Sequence, residues 1–409
     1  MIVPGDKSIS HRSLLLNALA DGPSRVENLL WSEDVAATAG ALRAMGVDIS
    51  VDGTTARVSP PDGGLQEPGD VLDCGNSGTS MRLLAGILAA RPFHAVLTGD
   101  ASLRRRPMGR VIRPLREMGA TIDGRGDGTL APFAIRGGEL EPKRHTLELA
   151  SAQVKSAILL AGLRAGVAVR EPHASRDHTE RMLSRMGAVL RRDPDRWLVL
   201  EPCARLAPVD VDVPGDISAA AFFLVLGAIL PGSDLTLPGV GINPSRAGVI
   251  DALRAMGADI SVDPIAGQGE PRADLRVRSS RLVGTRIDGE LALRCLDELP
   301  VLAIAAAFAE GLTVIADASE LRVKESDRIA RTVAGLRTLG VVCEEQPDGM
   351  LVHGGRPVGP GAADATGDHR IAMAFAVAGL AAPGGVHVTG ADAISSSFPD
   401  FFDRLEALL

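Results

Sequence analysis

The sequence predicts an α/β protein of two domains, each assembled from three copies of one structural unit. Three observations carry that expectation. A phrase ending in Met-Gly recurs along the chain, a polar cluster followed by an apolar helix recurs with the same count, and a Pro-Gly crossover lies near the midpoint.

The first phrase is "ALRAMGVDISV" (Ala41 to Val51), which returns as "ALRAMGADISV" (Ala252 to Val262). Looser copies begin at Pro114, Met182 and Gly335, and a truncated sixth is the terminal "RLEALL". The period is about 70 residues, longer than the usual solenoid units. Each copy reads as an amphipathic helix whose glycine takes a left-handed terminus. The "VDIS" and "ATID" that follow alternate as half-buried strands do.

The second phrase has six forms: "GDKSISHRSLLLNALADG", "GNSGTSMRLLAGILAA", "SAQVKSAILLAGLRAG", "GDISAAAFFLVLGAILPG", "DELPVLAIAAAFAEG" and "GDHRIAMAFAVAGLAAPG". Small and apolar residues on nearly every side predict a helix buried all round. The polar residues gather at its N-terminus, where Ser, Asp and Asn cap free amides. "VDVPGDIS" (Val211 to Ser218) is the expected hinge between the two groups of three.

A passive scaffold would repeat one cap, but these caps differ, which points to a composite site. Helix N-termini offer unpaired N–H groups and a partial positive charge, and so favour anions. Lysines and arginines strengthen that preference. Four of the 43 basic residues are lysine, and Lys7, Lys155 and Lys324 fall inside the polar motifs. Further cationic runs are "DASLRRRPMGR" (Asp100 to Arg110) and "LRVKESDR" (Leu321 to Arg328). An acidic chain with basic pockets suits small phosphorylated or carboxylated metabolites.

The bulk numbers narrow the class. The 409 residues are 45% hydrophobic and carry a formal net charge of -8. That balance argues against a general nucleic-acid or membrane-surface binder. The uncharged, strongly apolar run 217–233 contains Pro231 and is short for a membrane span. Cys74, Cys203, Cys295 and Cys343 lie far apart without metal-ligand spacing. With no leader ahead of the first motif, the expectation is a reduced, cytoplasmic protein without a metal.

Seven motifs in order, "PGDKSISHR", "GNSGTSMR", "RRRPMGR", "SAQVKS", "RVKESDR", "GDHRIAM" and "SSSFPDFF", closely resemble the bacterial 5-enolpyruvylshikimate-3-phosphate synthases. The resemblance spans the whole chain. It implies the enolpyruvyl transferase fold, a two-domain inside-out α/β barrel of six βαββαβ repeats, three per domain. The domains are expected at 6–213 and at 1–5 with 214–409, with the active site in the interdomain cleft. The implied reaction joins phosphoenolpyruvate to the 5-hydroxyl of shikimate 3-phosphate through a tetrahedral adduct and releases phosphate. It implies no metal or organic cofactor, two small-molecule substrates, no nucleic acid, no membrane, and a monomer.

The resemblance also implies roles. Lys7, Ser8 and Arg12 resemble residues that bridge the two ligands. Gly78, Arg106, Arg328 and Arg370 resemble phosphoenolpyruvate contacts, and Ser151, Ala152 and Gln153 line the shikimate side, with Gln153 touching both ligands. Ala152 stands where some members have a serine. Arg176 is either a phosphate contact or a surface helix cap. Asp297 resembles the base at the 5-hydroxyl. Lys324 resembles a substrate-binding lysine active in proton transfer, and Glu325 a proton donor or relay. Asp216 and His369 read as capping or orienting groups, His11 as a satisfied polar neighbour rather than a general base, and Lys155 as a cleft cation or half of an internal ion pair. Three departures stand out: Ser396 replaces a cleft lysine of some members, Glu320 an asparagine, and the chain starts without the usual preceding strand, which would leave a neighbouring strand edge unpaired. Two rivals remain, an enolpyruvyl transferase acting on a uridine-diphosphate amino sugar and a non-catalytic anion-binding repeat protein. The first typically has a cysteine on the loop that here reads "DASLRRRPMGR"; the second gains nothing from Asp297 and Glu325 beside anionic ligands.

Overall fold

A computed structural model describes residues 1–267, 269–356 and 358–408. Leu409, the last residue of the truncated sixth phrase, lies outside them. The chain divides into two compact units, Lys7–Val213 and Met1–Asp6 with Pro214–Leu409. It passes between them at 6/7 and at 213/214. Asp6 falls with the second unit: its N–H bonds the carbonyl of Pro214 at 2.8 Å, and its carboxylate lies 3.6 Å from Arg246.

The Lys7–Val213 unit holds α1 (Lys7–Asn17), α2 (Glu33–Ala44), α3 (Gly78–Ala89), α4 (Gly109–Glu117), α5 (Ala152–Ala161) and α6 (His178–Arg185). The other holds α7 (Ile217–Ile229), α8 (Gly248–Ala255), α9 (Gly289–Arg294), α10 (Leu299–Phe308), α11 (Arg328–Thr338), α12 (His369–Ala381) and α13 (Phe401–Glu406). None of the described helices is long and apolar enough to cross a membrane.

The apolar phrases become α1, α3, α5, α7, α10 and α12. Every residue of α7 from Ile217 to Ala228 is buried, and α10 is buried from Leu299 to Ala307. Each unit therefore has its own core, built around three such helices. Packing is close enough to dictate residue size: a Cβ on Gly86 of α3 would stand 2.2 Å from the carbonyl oxygen of Ala157 in α5.

Five of the six buried helices, all but α1, join two parallel strands among the described residues. Leu72 pairs with Leu97 across α3, Lys143 with Val167 across α5, Arg286 with Val314 across α10, and Gly361 with Val386 across α12. A bridge between Gly215 and Val240 does the same across α7. Val26 takes its parallel partner, Val211, from the far end of its own unit. In five repeats the second strand then pairs antiparallel with a hairpin strand, as 24–27 does with 55–59.

The Met-Gly phrases become α2, α4, α6 and α8, and the Leu-Gly copy becomes α11. Gly46, Gly119, Gly187, Gly257 and Gly340 follow them, with φ of 87°, 115°, 95°, 92° and 77°. L side chains are strained there, which explains the recurring glycine. A second device accompanies it. Arg43, Arg116, Arg254 and Arg337 each donate Nε and Nη2 to the carbonyl six residues on, at Ile49, Ile122, Ile260 and Cys343. The fork ties the helix end to the next strand. In α6 the equivalent residue is Ser184, and the fork is missing.

Candidate functional site

In the Lys7–Val213 unit the polar motifs collect at the openings of α1, α3 and α5. Lys7 begins α1, and its ammonium lies 2.9 Å from Asp34. Ser8 follows, its carbonyl accepting from Arg12 at 2.9 Å. Arg12 is 3% exposed and also donates to Thr179 and Ser156, at 2.7 and 3.0 Å. It locks α1 to α5 and α6 beneath the helix mouths. His11 is buried beside it, its Nδ1 2.7 Å from Thr38, whose hydroxyl is 2.5 Å from Ser80. Burial outweighs the pull of Asp34 and pushes the His11 pKa down to about 3, so the ring is neutral at physiological pH.

Gly78 is the first residue of α3, capped by Ser77. A Cβ there would stand 2.9 Å from one guanidinium nitrogen of Arg82 and 3.5 Å from one of Arg106. The absent side chain thus leaves room beside two cations. Arg82 donates to Gln153 at 2.5 Å, and Gln153 donates to Thr79 at 2.8 Å. Arg106 donates to Asn76, which donates to Asp100 at 2.6 Å. Ser151 caps α5, Ala152 is its first residue, and Arg176 is half-buried just before α6. Arg82 and Asn76 escaped the reading by motif although both stand in "GNSGTSMR"; the i, i+4 spacing of Gly78 and Arg82 was the available signal.

Lys155 points inward. It is wholly buried and lies 2.9 Å from Glu171 and 2.7 Å from Glu180, an internal ion triad rather than an open cation.

In the other unit the motifs collect at the openings of α10, α11 and α12. Asp297 lies in the turn before α10, its carboxylate 3.2 Å from Arg328, 3.9 Å from Lys324 and 3.9 Å from Arg370. Arg328 begins α11 and is buried; besides Asp297 it meets Glu325 at 2.6 Å and Asp368 at 2.8 Å. Burial opposes its charge, but the three carboxylates more than offset that and raise its pKa. Asp368 caps α12 through the N–H of Arg370 at 3.0 Å. Burial would raise its carboxyl, yet the Arg328 guanidinium holds it below the ordinary carboxylate range. Arg370 donates to the carbonyl of Asp297 at 3.3 Å. Lys324 also meets Glu320, at 3.2 Å. Ser396 turns its hydroxyl to the carbonyl of Ala393.

A second buried group supports this one. Arg246 is 3% exposed, with Asp6, Asp216 and Glu298 at 3.6, 3.1 and 3.9 Å. Asp216 also caps α7 through Ser218. Glu298 lies 3.5 Å from Arg370 and accepts from the Ser218 hydroxyl. Arg246 lies outside every motif, and its partners come from three separate segments, so no local signal marks it. Among the described residues, no cluster of three or more His, Cys, Asp or Glu is placed to hold a metal ion.

Comparison with known proteins fits this geometry. The chain superimposes with a TM-score of 0.80 on the enolpyruvyl transferase NikO from Streptomyces tendae, at 21% identity over 100% of this chain and 94% of that one. With an EPSP synthase from Acinetobacter baumannii the TM-score is 0.89, at 43% identity over the same shares. The fold is that of the enolpyruvyl transferases. Among sequence relatives, the 3-phosphoshikimate 1-carboxyvinyltransferase of Pelotomaculum thermopropionicum is 54% identical over 100% of this chain and 95% of its own. That of Geobacter metallireducens is 52% identical over 99% and 95%. The family model described as EPSP synthase (3-phosphoshikimate 1-carboxyvinyltransferase) matches residues 1–405, and the chain belongs to that family. It is an enzyme of enolpyruvyl transfer in the shikimate pathway, EC 2.5.1.19.

Proposed function

We propose that the two clusters serve one substrate pair, phosphoenolpyruvate and shikimate 3-phosphate. The observation that carries this reading is the placement of Asp297, one carboxylate within 3.9 Å of Lys324, Arg328 and Arg370. Two multiply anionic substrates repel each other, so joining them requires fixed cations. It also requires a base at the attacking hydroxyl and an acid at the methylene carbon. Asp297 takes the proton of the 5-hydroxyl as its oxygen adds to C2 of phosphoenolpyruvate. Lys324 or Glu325 delivers a proton to C3. The tetrahedral adduct then expels phosphate by C–O cleavage while its C3 methyl gives back a proton, which restores the double bond of the enolpyruvyl ether.

The other unit supplies the positioning. Lys7 and Gln153 touch both ligands, Ser8, Ser151 and Arg176 hold shikimate 3-phosphate, and the first turn of α5 at Ala152 lies along it. Arg106 clamps phosphoenolpyruvate in the space left by Gly78, and Arg328 and Arg370 are further contacts to the same substrate. Arg12 acts from beneath, by fixing the first turn of α1. The amino-sugar branch is disfavoured because the 100–110 loop has no cysteine, while Cys74 is buried and its thiol pushed up by that burial. The enzyme works as a cytoplasmic monomer in this reading; its four free cysteines suit a reducing compartment.

Phosphate release on mixing the two substrates tests the proposal. Release that needs both is expected; no release, or release with a uridine-diphosphate amino sugar instead, would overturn it.

A further inference from the structure

The three buried helices of the Lys7–Val213 unit open at the substrate motifs and close at a second feature. Past the C-termini of α1, α3 and α5 lies a cavity of about 450 Å³. At 1.5 Å per residue it stands roughly 17 Å from the helix mouths, so it is a separate place. Its volume falls within the range of about 300–1,000 Å³ usual for small-molecule sites. Leu65, Ile87 and Leu160 give it an apolar floor.

Its charge is unusual. Arg91, just after α3, and Arg164, just after α5, both line it. Neither guanidinium has a carboxylate or a carbonyl partner among the described residues. Arg91 is half-buried, and burial together with the charge of Arg164 disfavours its cationic form. A helix C-terminus attracts cations, but these two do not spend their donors on the helix carbonyls. The nearby carboxylates do not compensate them: Asp21 faces Arg205 at 3.9 Å, and Asp62 is exposed at the rim. Two like charges beside a largely polar cavity with an apolar floor, with ten N–H donors between them, suit an anion.

We infer that this cavity binds a small organic anion, a carboxylate or phosphate carried on an apolar body, with Arg91 and Arg164 holding the acid group and the leucine-lined floor holding the rest. Guanidinium suits either acid through bidentate contact.

The cavity carries its own reporter. Cys203 lines it and is partly accessible, whereas Cys74, Cys295 and Cys343 are buried. Alkylation of Cys203 by neutral iodoacetamide, followed by peptide mass spectrometry on the full chain, reads occupancy. Benzoate, at a concentration that saturates the effect, should slow alkylation at least threefold. The Arg91→Gln/Arg164→Gln protein should show no slowing, and Arg164→Gln alone, at an exposed position, should show less than the parent. Slowing by inorganic phosphate but not benzoate would assign a bare-anion site and overturn the organic class. No slowing by either, or equal slowing in the double variant, would overturn the site.

Discussion

Asp297 and Arg328 come within 3.2 Å of each other although they stand 31 positions apart, one within the turn before α10 and the other beginning α11. Arg328 is 1% exposed and already holds Asp368 and Glu325. Its charge is therefore fixed in place before any substrate arrives, and Asp297 is aimed by it. A carboxylate so held can accept a proton without first reorganising its surroundings.

Asp297→Asn keeps the shape and removes the proposed base. Turnover should fall by about 10²–10⁴-fold, the usual worth of general base catalysis. The phosphoenolpyruvate KM should change little, because Arg328 keeps Glu325 and Asp368. Steady-state phosphate release checks both numbers, and unaltered turnover would remove Asp297 from the chemistry.

Gly78→Ala places a methyl group 2.9 Å from Arg82 and 3.5 Å from Arg106. Both contacts are ends of flexible side chains, so the fold should survive while the cations shift. The phosphoenolpyruvate KM should rise about tenfold, equivalent to ~1.4 kcal/mol, with the shikimate 3-phosphate KM nearly constant. Equal rises in both would point to a general disturbance of α3.

Lys155→Met leaves Glu171 and Glu180 buried without their cation. Breaking a buried ion pair this way costs about 3–5 kcal/mol. Urea unfolding should show that loss, and adding Glu171→Gln and Glu180→Gln should recover part of it. An unchanged midpoint for the single variant would mean that the triad contributes nothing.

His11 couples stability to acidity. Its folded pKa is about 3, held down mainly by burial, against an ordinary 6.5. Below 6.5 the unfolded chain binds a proton that the folded one refuses. The contribution is thus complete above pH 6.5 and shrinks as pH falls towards 3, by about 1.4 kcal/mol per unit. Urea unfolding at pH 7.0 and 5.5 should show a loss roughly 1–2 kcal/mol larger in the parent than in His11→Gln. Equal losses would mean that His11 is not buried in neutral form.

Much of this architecture can be read from the residues because it repeats. The Met-Gly phrase announces helix ends at Gly46 and Gly257, and unbroken apolar runs announce α7 and α10. What escapes is held together across the chain. The strands Leu72–Asp73, Val211–Asp212 and Arg286–Ile287 have two residues each, too few to show any period. The arginine forks are written in the same phrase, yet Arg43 looks like any surface cation until its carbonyl partner at Ile49 is located. At the site, Lys7, Gly78, Asp297 and Arg370 stand in motifs. Arg82 and Arg246 are recognised only by their partners, and Lys155 shows its inward direction only once Glu171 and Glu180 surround it.

The central claim is that both units act on the same phosphoenolpyruvate, and calorimetry tests it most directly. Asp297→Asn protein, slow enough for binding to be measured, is titrated with phosphoenolpyruvate in saturating shikimate 3-phosphate. Adding Arg106→Gln in one unit or Arg370→Gln in the other should each weaken binding about tenfold or more, since a hydrogen bond to a charged group contributes about 1.5–3 kcal/mol. If either substitution leaves the affinity unchanged, that unit does not hold the ligand and the account fails.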